Sequence, residues 1–170
     1  MARIQYLISV DNLKKQGLIH DNVDTKILAR CIRIAQDLNI QSSLGTPLYK
    51  AMLTRVENNN WNSDYRLLQN DYIIPALVAW VDYHASIFLN VKMTNKNVGR
   101  MSDETRTANS DSQQGYFKNR LVDIAEHYNN RLIGFLKDND DKYPEYKDTT
   151  CKYENIDKQK NKGGLNNVII

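Results

Sequence analysis

Apolar residues recur along this chain at three- and four-residue steps, the spacing that gathers them on one side of an α-helix. The first such stretch is short: Ser9 precedes Val10 to Gln16 and Gly17 follows, a hydroxyl N-cap and a C-terminal glycine. A second helix starts near Asn22 to Asp24. Ile27, Leu28, Cys31, Ile34, Ala35 and Leu38 make its apolar stripe, while Lys26, Arg30, Arg33 and Asp37 take the other side. Gly45-Thr46-Pro47 then ends one helix and opens another, because glycine suits the end, threonine can cap and proline fits a first turn. Leu48, Tyr49, Met52, Leu53 and Val56 carry the new stripe.

Asn58 to Asn62 reads as a surface connection, and Ser63 can cap a long helix from about Asp64 to Val91 that Pro75 kinks or breaks. Between Ile73 and Phe88 this segment is apolar on nearly every side, which marks a central, buried helix containing Trp80. The last long helix runs from about Gln113 to Lys137, with Phe117, Leu121, Ile124, Tyr128, Leu132, Phe135 and Leu136 inward. The expected fold is mostly α: a helical bundle of three long helices and shorter ones, with a long polar loop and an extended C-terminal tail.

Residues 1–137 form the helical domain, and its loop, 92–112, is polar, aperiodic and longer than an ordinary connection. A loop of this kind is expected to dock a partner, through Val98, Arg100 and Met101, with Arg106 beyond them. The tail, 138–170, is dense in Asp, Lys and Asn and too poor in apolar residues to offset its own ordering entropy. Its end, Lys162-Gly163-Gly164-Leu165-Asn166-Asn167-Val168-Ile169-Ile170, combines a glycine bend with an aliphatic cluster. Leu165, Val168, Ile169 and Ile170 could pair as a strand or fill a groove on a neighbour.

Composition narrows the class further. With 170 residues the chain has room for one domain, and 41% hydrophobic with 25% charged residues is a globular balance. Only seven glycines and three prolines interrupt it, which favours helices. A net charge of +3 is too small to argue for nucleic acid or membrane as a partner. Cys31 and Cys151 are too far apart in sequence to suggest a disulfide framework or metal spacing, and a reducing cytoplasm is expected. The run from Ile4 to Val10 is too short and interrupted for a signal or a membrane span.

Candidate chemistry is sparse. His20, His84 and His127 have no histidine or cysteine at ligand spacing, so no metal or cofactor is expected. His84 reads as a hydrogen-bonded core histidine, and Glu126 and His127, adjacent on a helix, point about 100° apart. No phosphate loop, nucleophile elbow or Cys-His pairing is present, and the expectation is a protein that is not an enzyme. Lys14, Lys15, Arg30, Arg33, Lys92, Lys96, Arg100 and Arg106 are spread out as a solvated face would be.

The run from Ile27 to Leu53 nevertheless resembles the first two core helices of the head-to-tail connector proteins of tailed bacteriophages, also called adaptor or head-completion proteins. The telling piece is Ile40 through Leu44-Gly45, followed by Leu48-Tyr49. Asp71 through Pro75 to Trp80 is similar to the start of that family's central helix, and Tyr128-Asn129-Asn130-Arg131-Leu132 to its final helix. The variant most alike is that of crAss-like phages, in which a charged tail ends in a glycine-containing apolar stretch. The resemblance implies a virion protein at the head-tail junction, assembled in the host cytoplasm as a homo-oligomeric ring, usually of twelve copies. Such a ring docks on the portal protein, presents a platform to other neck or tail proteins, and surrounds DNA without sequence-specific recognition. No membrane is involved. A rival expectation is a helical DNA-binding or packaging regulator that uses Arg30, Arg33 and the loop arginines.

Overall fold

The hydroxyl of Ser9 opens the first helix, α1 (Val10–Gln16), by accepting the Asn12 N–H at 3.2 Å. Gly17 closes it with φ −87°, so glycine is not needed there for a left-handed turn. It is needed for space: a Cβ at Gly17 would lie 2.9 Å from Asp82 Oδ1 and 3.1 Å from the Leu13 carbonyl. The computed structural model describes residues 5–89, 91–93, 98–100 and 111–147, and among these the fold is mostly α.

Asp24 caps α2 (Thr25–Ala35) through the Lys26 N–H at 2.8 Å. Leu28, Cys31, Ile32 and Ala35 are its buried face, a set spaced i, i+3, i+4, i+7. The stripe is thus rotated from the expected one, with Ile32 inside and Ile27 and Leu38 38% and 63% exposed. Leu38 falls away because the helix widens into a π segment, Gln36–Ile40, where the Gln41 N–H reaches back five residues to the Gln36 carbonyl. The extra residue in that turn carries the following positions around the axis. α3 (Gln41–Leu44) ends at Gly45, whose φ of 75° and ψ of 153° belong to a region essentially confined to glycine. α4 (Thr46–Asn58) then starts with Pro47 in its first turn. Thr46 is not the cap: Gly45 holds that position, and the buried Thr46 hydroxyl accepts from Gln41 Nε2 at 3.2 Å.

Asn62, rather than Ser63, caps α5 (Ser63–Leu67), accepting the Tyr65 N–H at 2.9 Å. A second π segment, Leu68–Ile73, follows, closed by the Ile74 N–H on the Gln69 carbonyl. Pro75 therefore sits in the first turn of α6 (Ile74–Phe88), and the widened turn before it takes the place of the expected break. α6 is the centre of the molecule, packed between α2 and α7 (Asp111–Asp138). Leu77 and Val81 are fully buried on it, whereas Trp80 is half-buried, edge-on to Tyr83 at 5.9 Å.

The connection after α6 is not wholly irregular: β1 (Val91–Met93) and β2 (Val98–Arg100) pair antiparallel, with Val91 opposite Arg100 and Met93 opposite Val98. On α7 the buried residues are Leu121, Ala125, Asn129, Leu132, Ile133 and Leu136. Phe117, expected inward, is 54% exposed. The chain after Asp138 also departs from expectation. It turns back as α8 (Pro144–Lys147), with Tyr143 1% and Tyr146 6% exposed. Tyr143 meets Tyr65 edge-on at 5.3 Å and donates to the Asp64 carbonyl at 3.0 Å. Two tyrosines supply the burial that a shortage of aliphatic residues argued against. The rest of the tail, with Lys162, Gly163, Gly164, Leu165, Val168, Ile169 and Ile170, lies outside the described residues.

Candidate functional site

Both π segments begin or contain a buried glutamine, and both glutamines hold the same backbone residue. Gln36 Oε1 accepts the Leu7 N–H at 2.7 Å, and Gln69 Nε2 donates to the Leu7 carbonyl, also at 2.7 Å. Gln36 Nε2 adds a bond to the Gln5 carbonyl at 3.3 Å, and Leu7 and Ile8 enter the core. At the other end of this N-terminal arm the Leu18 N–H lies 3.2 Å from both carboxylate oxygens of Asp82. Burial pushes the Asp82 carboxyl up to about 6, against the bond from Leu18, which favours the charged form. The arm is therefore held both by its buried Leu7, Ile8 and Leu13 and by side chains reading its backbone. Sequence reasoning missed all three polar side chains, although a lone carboxylate in the most apolar segment was a visible signal for Asp82.

A part-buried polar chain ties α6, the first π segment, α3 and α7 together. His84 Nε2 lies 2.9 Å from Asn39 Oδ1, the Ser43 hydroxyl 2.9 Å from the Asn39 carbonyl, and the same hydroxyl 2.6 Å from Asn129 Oδ1. Asn39 Oδ1 can only accept, so His84 Nε2 carries the donated proton, and desolvation lowers the His84 pKa. This agrees with the reading of His84 as a core histidine. Among the described residues no group of three or more His, Cys, Asp or Glu side chains is placed to hold a metal ion. No helix among them is long and apolar enough to cross a membrane.

Exposed large apolar side chains occur in several places, Leu18, Ile27, Leu38 and Leu67 among them, and three more lie on α6 and α7. Phe135, near the end of α7, stacks on Tyr72, just before α6, at 3.9 Å, and α7 then packs along α6. At 1.5 Å per residue, Phe117 lies about 27 Å along α7 from that contact and Phe88 about 24 Å along α6, so both arrive at the same end of the bundle. There Phe88 is 38%, Phe117 54% and Tyr116 77% exposed, and the β1–β2 ribbon springs from the same place.

Of the residues expected to bind partners, Val98 and Arg100 fall on β2 at this end, while Met101 and Arg106 lie outside the described residues. The residues carrying the resemblance are structural: Leu44 and Leu48 are fully buried, Tyr49 is nearly so, and Gly45 and Pro75 shape helix starts. Arg33, one of the arginines of the DNA-binding alternative, is paired with Asp37 at 3.5 Å.

Residues 40–156 match the model of a family described as Family of unknown function (DUF6712). The chain belongs to that family. The DUF6712 match begins at Ile40, the last residue of the first π segment, and takes in Gln69, Asp82, the ribbon, α7 and α8. The N-terminal arm and Gln36 precede it. No curated protein matches the chain, and no solved structure does.

Proposed function

We propose that this DUF6712 protein is a structural component of the head-tail junction of a tailed bacteriophage, where copies form a ring on the portal around the DNA channel. The observation that carries the reading is the end of the bundle at which Phe88, Tyr116 and Phe117 stand exposed beside the β1–β2 ribbon. Exposed aromatic side chains at one end of a helix pair are unfavourable in water and fit a protein partner, whose pockets accept rigid rings at low entropic cost. A ribbon there adds reach and unpaired backbone groups on its outer edges. The sequence resemblance supplies the partners: neighbouring copies, the portal, and the next neck or tail protein. The protein works by geometry, as a collar through which DNA passes without base readout.

The reading is tested by co-sedimentation of the full chain with purified portal rings, for wild type and for a Tyr116→Ser, Phe117→Ser double variant. Both side chains are exposed, so the melting temperature should hold within a few degrees. Portal-bound protein should fall at least tenfold. Wild-type binding by the double variant would remove this end of the bundle from the interface, and no binding by either protein would overturn the connector reading.

A further inference from the structure

The N-terminal arm lies on the bundle with one flank in water. Its buried side chains are Leu7, Ile8 and Leu13, and α1, at seven residues, is too short to persist as a helix by itself. An open groove, lined on the arm's side by Gln5, Ser9, Asn12 and Gln16, runs along its outer flank. The arm's last turn presses on α6. The Leu18 N–H lies 3.2 Å from both Asp82 carboxylate oxygens, and a Cβ at Gly17 would meet Oδ1 at 2.9 Å. Beneath this turn Asp82 is 9% exposed.

Among the described side chains no cation answers that carboxylate. On the arm, Lys14 is bonded to the Asp21 carbonyl and Lys15 is exposed. The buried face of α2 brings Cys31, α7 brings the partly buried Tyr128, and α6 itself carries Tyr83 and His84, the latter bonded to Asn39. Asp37 and Asp71 on the π segments are exposed, and Lys92 lies on β1. Burial thus raises the Asp82 pKa to about 6, with only the Leu18 bond acting the other way. Both oxygens are equally distant from the Leu18 nitrogen, so protonating one leaves the other to accept. The hydrogen bond survives the proton, whereas burying the charge is costly.

We propose that the N-terminal arm is a strap latched by the proton on Asp82, held closed while the carboxyl is neutral and released more readily once it ionises. With the turn lifted, Asp82 meets water and its pKa returns toward the ordinary 3.8. Closing the strap therefore takes up a proton. The closed form is favoured most below about pH 4, weakens as pH rises from about 4 to about 6, and changes no further above that. The inference concerns a single chain and stands independently of the ring reading.

Amide hydrogen exchange of the full chain between pH 4 and pH 8, with the intrinsic rates divided out, tests it. The Leu13, Gly17 and Leu18 amides should lose at least tenfold in protection between pH 4 and pH 6.5. At every pH they should stay less protected than the amides of Leu77 to Val81 on α6, since the strap opens without unfolding the core. Asp82→Asn should flatten the arm's profile. Gly17→Ala, whose Cβ crowds Asp82, should instead lower the arm's protection at every pH and keep the slope, so the test survives if Asp82→Asn does not fold. Arm protection independent of pH in the wild type would overturn the proposal, as would a slope that persists in Asp82→Asn. Equal protection of arm and core amides would overturn it too, by tying the arm to global unfolding.

Discussion

Gly45 holds φ 75° and ψ 153° between α3 and α4, in a region that side chains with a Cβ enter only at a cost of about 1–3 kcal/mol. Gly45→Ala is therefore expected to lower the free energy of unfolding by that amount, read as a lower denaturant midpoint with the cooperativity unchanged; an unchanged midpoint would show that the turn can relax. Asp82 and His84 make the second prediction, and their signs oppose. The folded state keeps the Asp82 proton up to about 6, whereas the unfolded chain releases it near 3.8, so this group lowers stability as pH rises from about 4 to about 6 and adds no slope above that. The His84 pKa is depressed below 6.5, so the unfolded chain takes that proton first, and this group lowers stability as pH falls through 6.5. Urea titrations at pH 4 to 8 separate them. Asp82→Asn should remove the gain in stability toward acid, and His84→Gln the loss. Parallel wild-type and Asp82→Asn curves between pH 4 and 6 would contradict the burial assigned to Asp82.

Elements were legible where a cap or a stripe announced them, although Thr46 and Ser63 do not cap and the α2 stripe is rotated. Ser9, Asp24 and Gly45 bound α1, α2 and α4 near the places their side chains predict, and the apolar run from Ile73 to Phe88 is the central helix. The π segments were not legible, because periodicity counts residues per turn and cannot register one extra residue until the stripe has already drifted. That drift accounts for Leu38, and the widened turn before Pro75 accounts for the missing break. α8 was missed for a different reason: its stability comes from Tyr143 and Tyr146 inserting against α4 and α5, a tertiary gain that local composition does not reveal. A chain ended after Lys137 loses both tyrosines and should be less stable than one ended after Lys147 by about 3–5 kcal/mol. Equal melting of the two would mean that α8 is an accessory. The arm clasp of Gln36 and Gln69 likewise needed the fold, since nothing in the sequence relates position 7 to positions 36 and 69.

At the scale of the whole molecule the two ends differ in character. One end carries a chain of ring contacts, Tyr65 to Tyr143, Tyr143 to Phe135 and Phe135 to Tyr72, with Arg55 over the Tyr65 ring at 3.6 Å. The other leaves Phe88, Tyr116 and Phe117 exposed beside a ribbon. A polarised bundle of this kind is suited to an assembly in which one end grips a partner and the other keeps the subunit intact. Cryo-electron microscopy of filled virions that carry this protein tests the claim most directly. A ring of copies is expected at the head-tail junction, with the α6–α7 end and the β1–β2 ribbon against the portal or a neighbouring copy. Virions whose junction density leaves no place for this helical bundle, or a ring in which Phe88, Tyr116 and Phe117 face solvent, would contradict it.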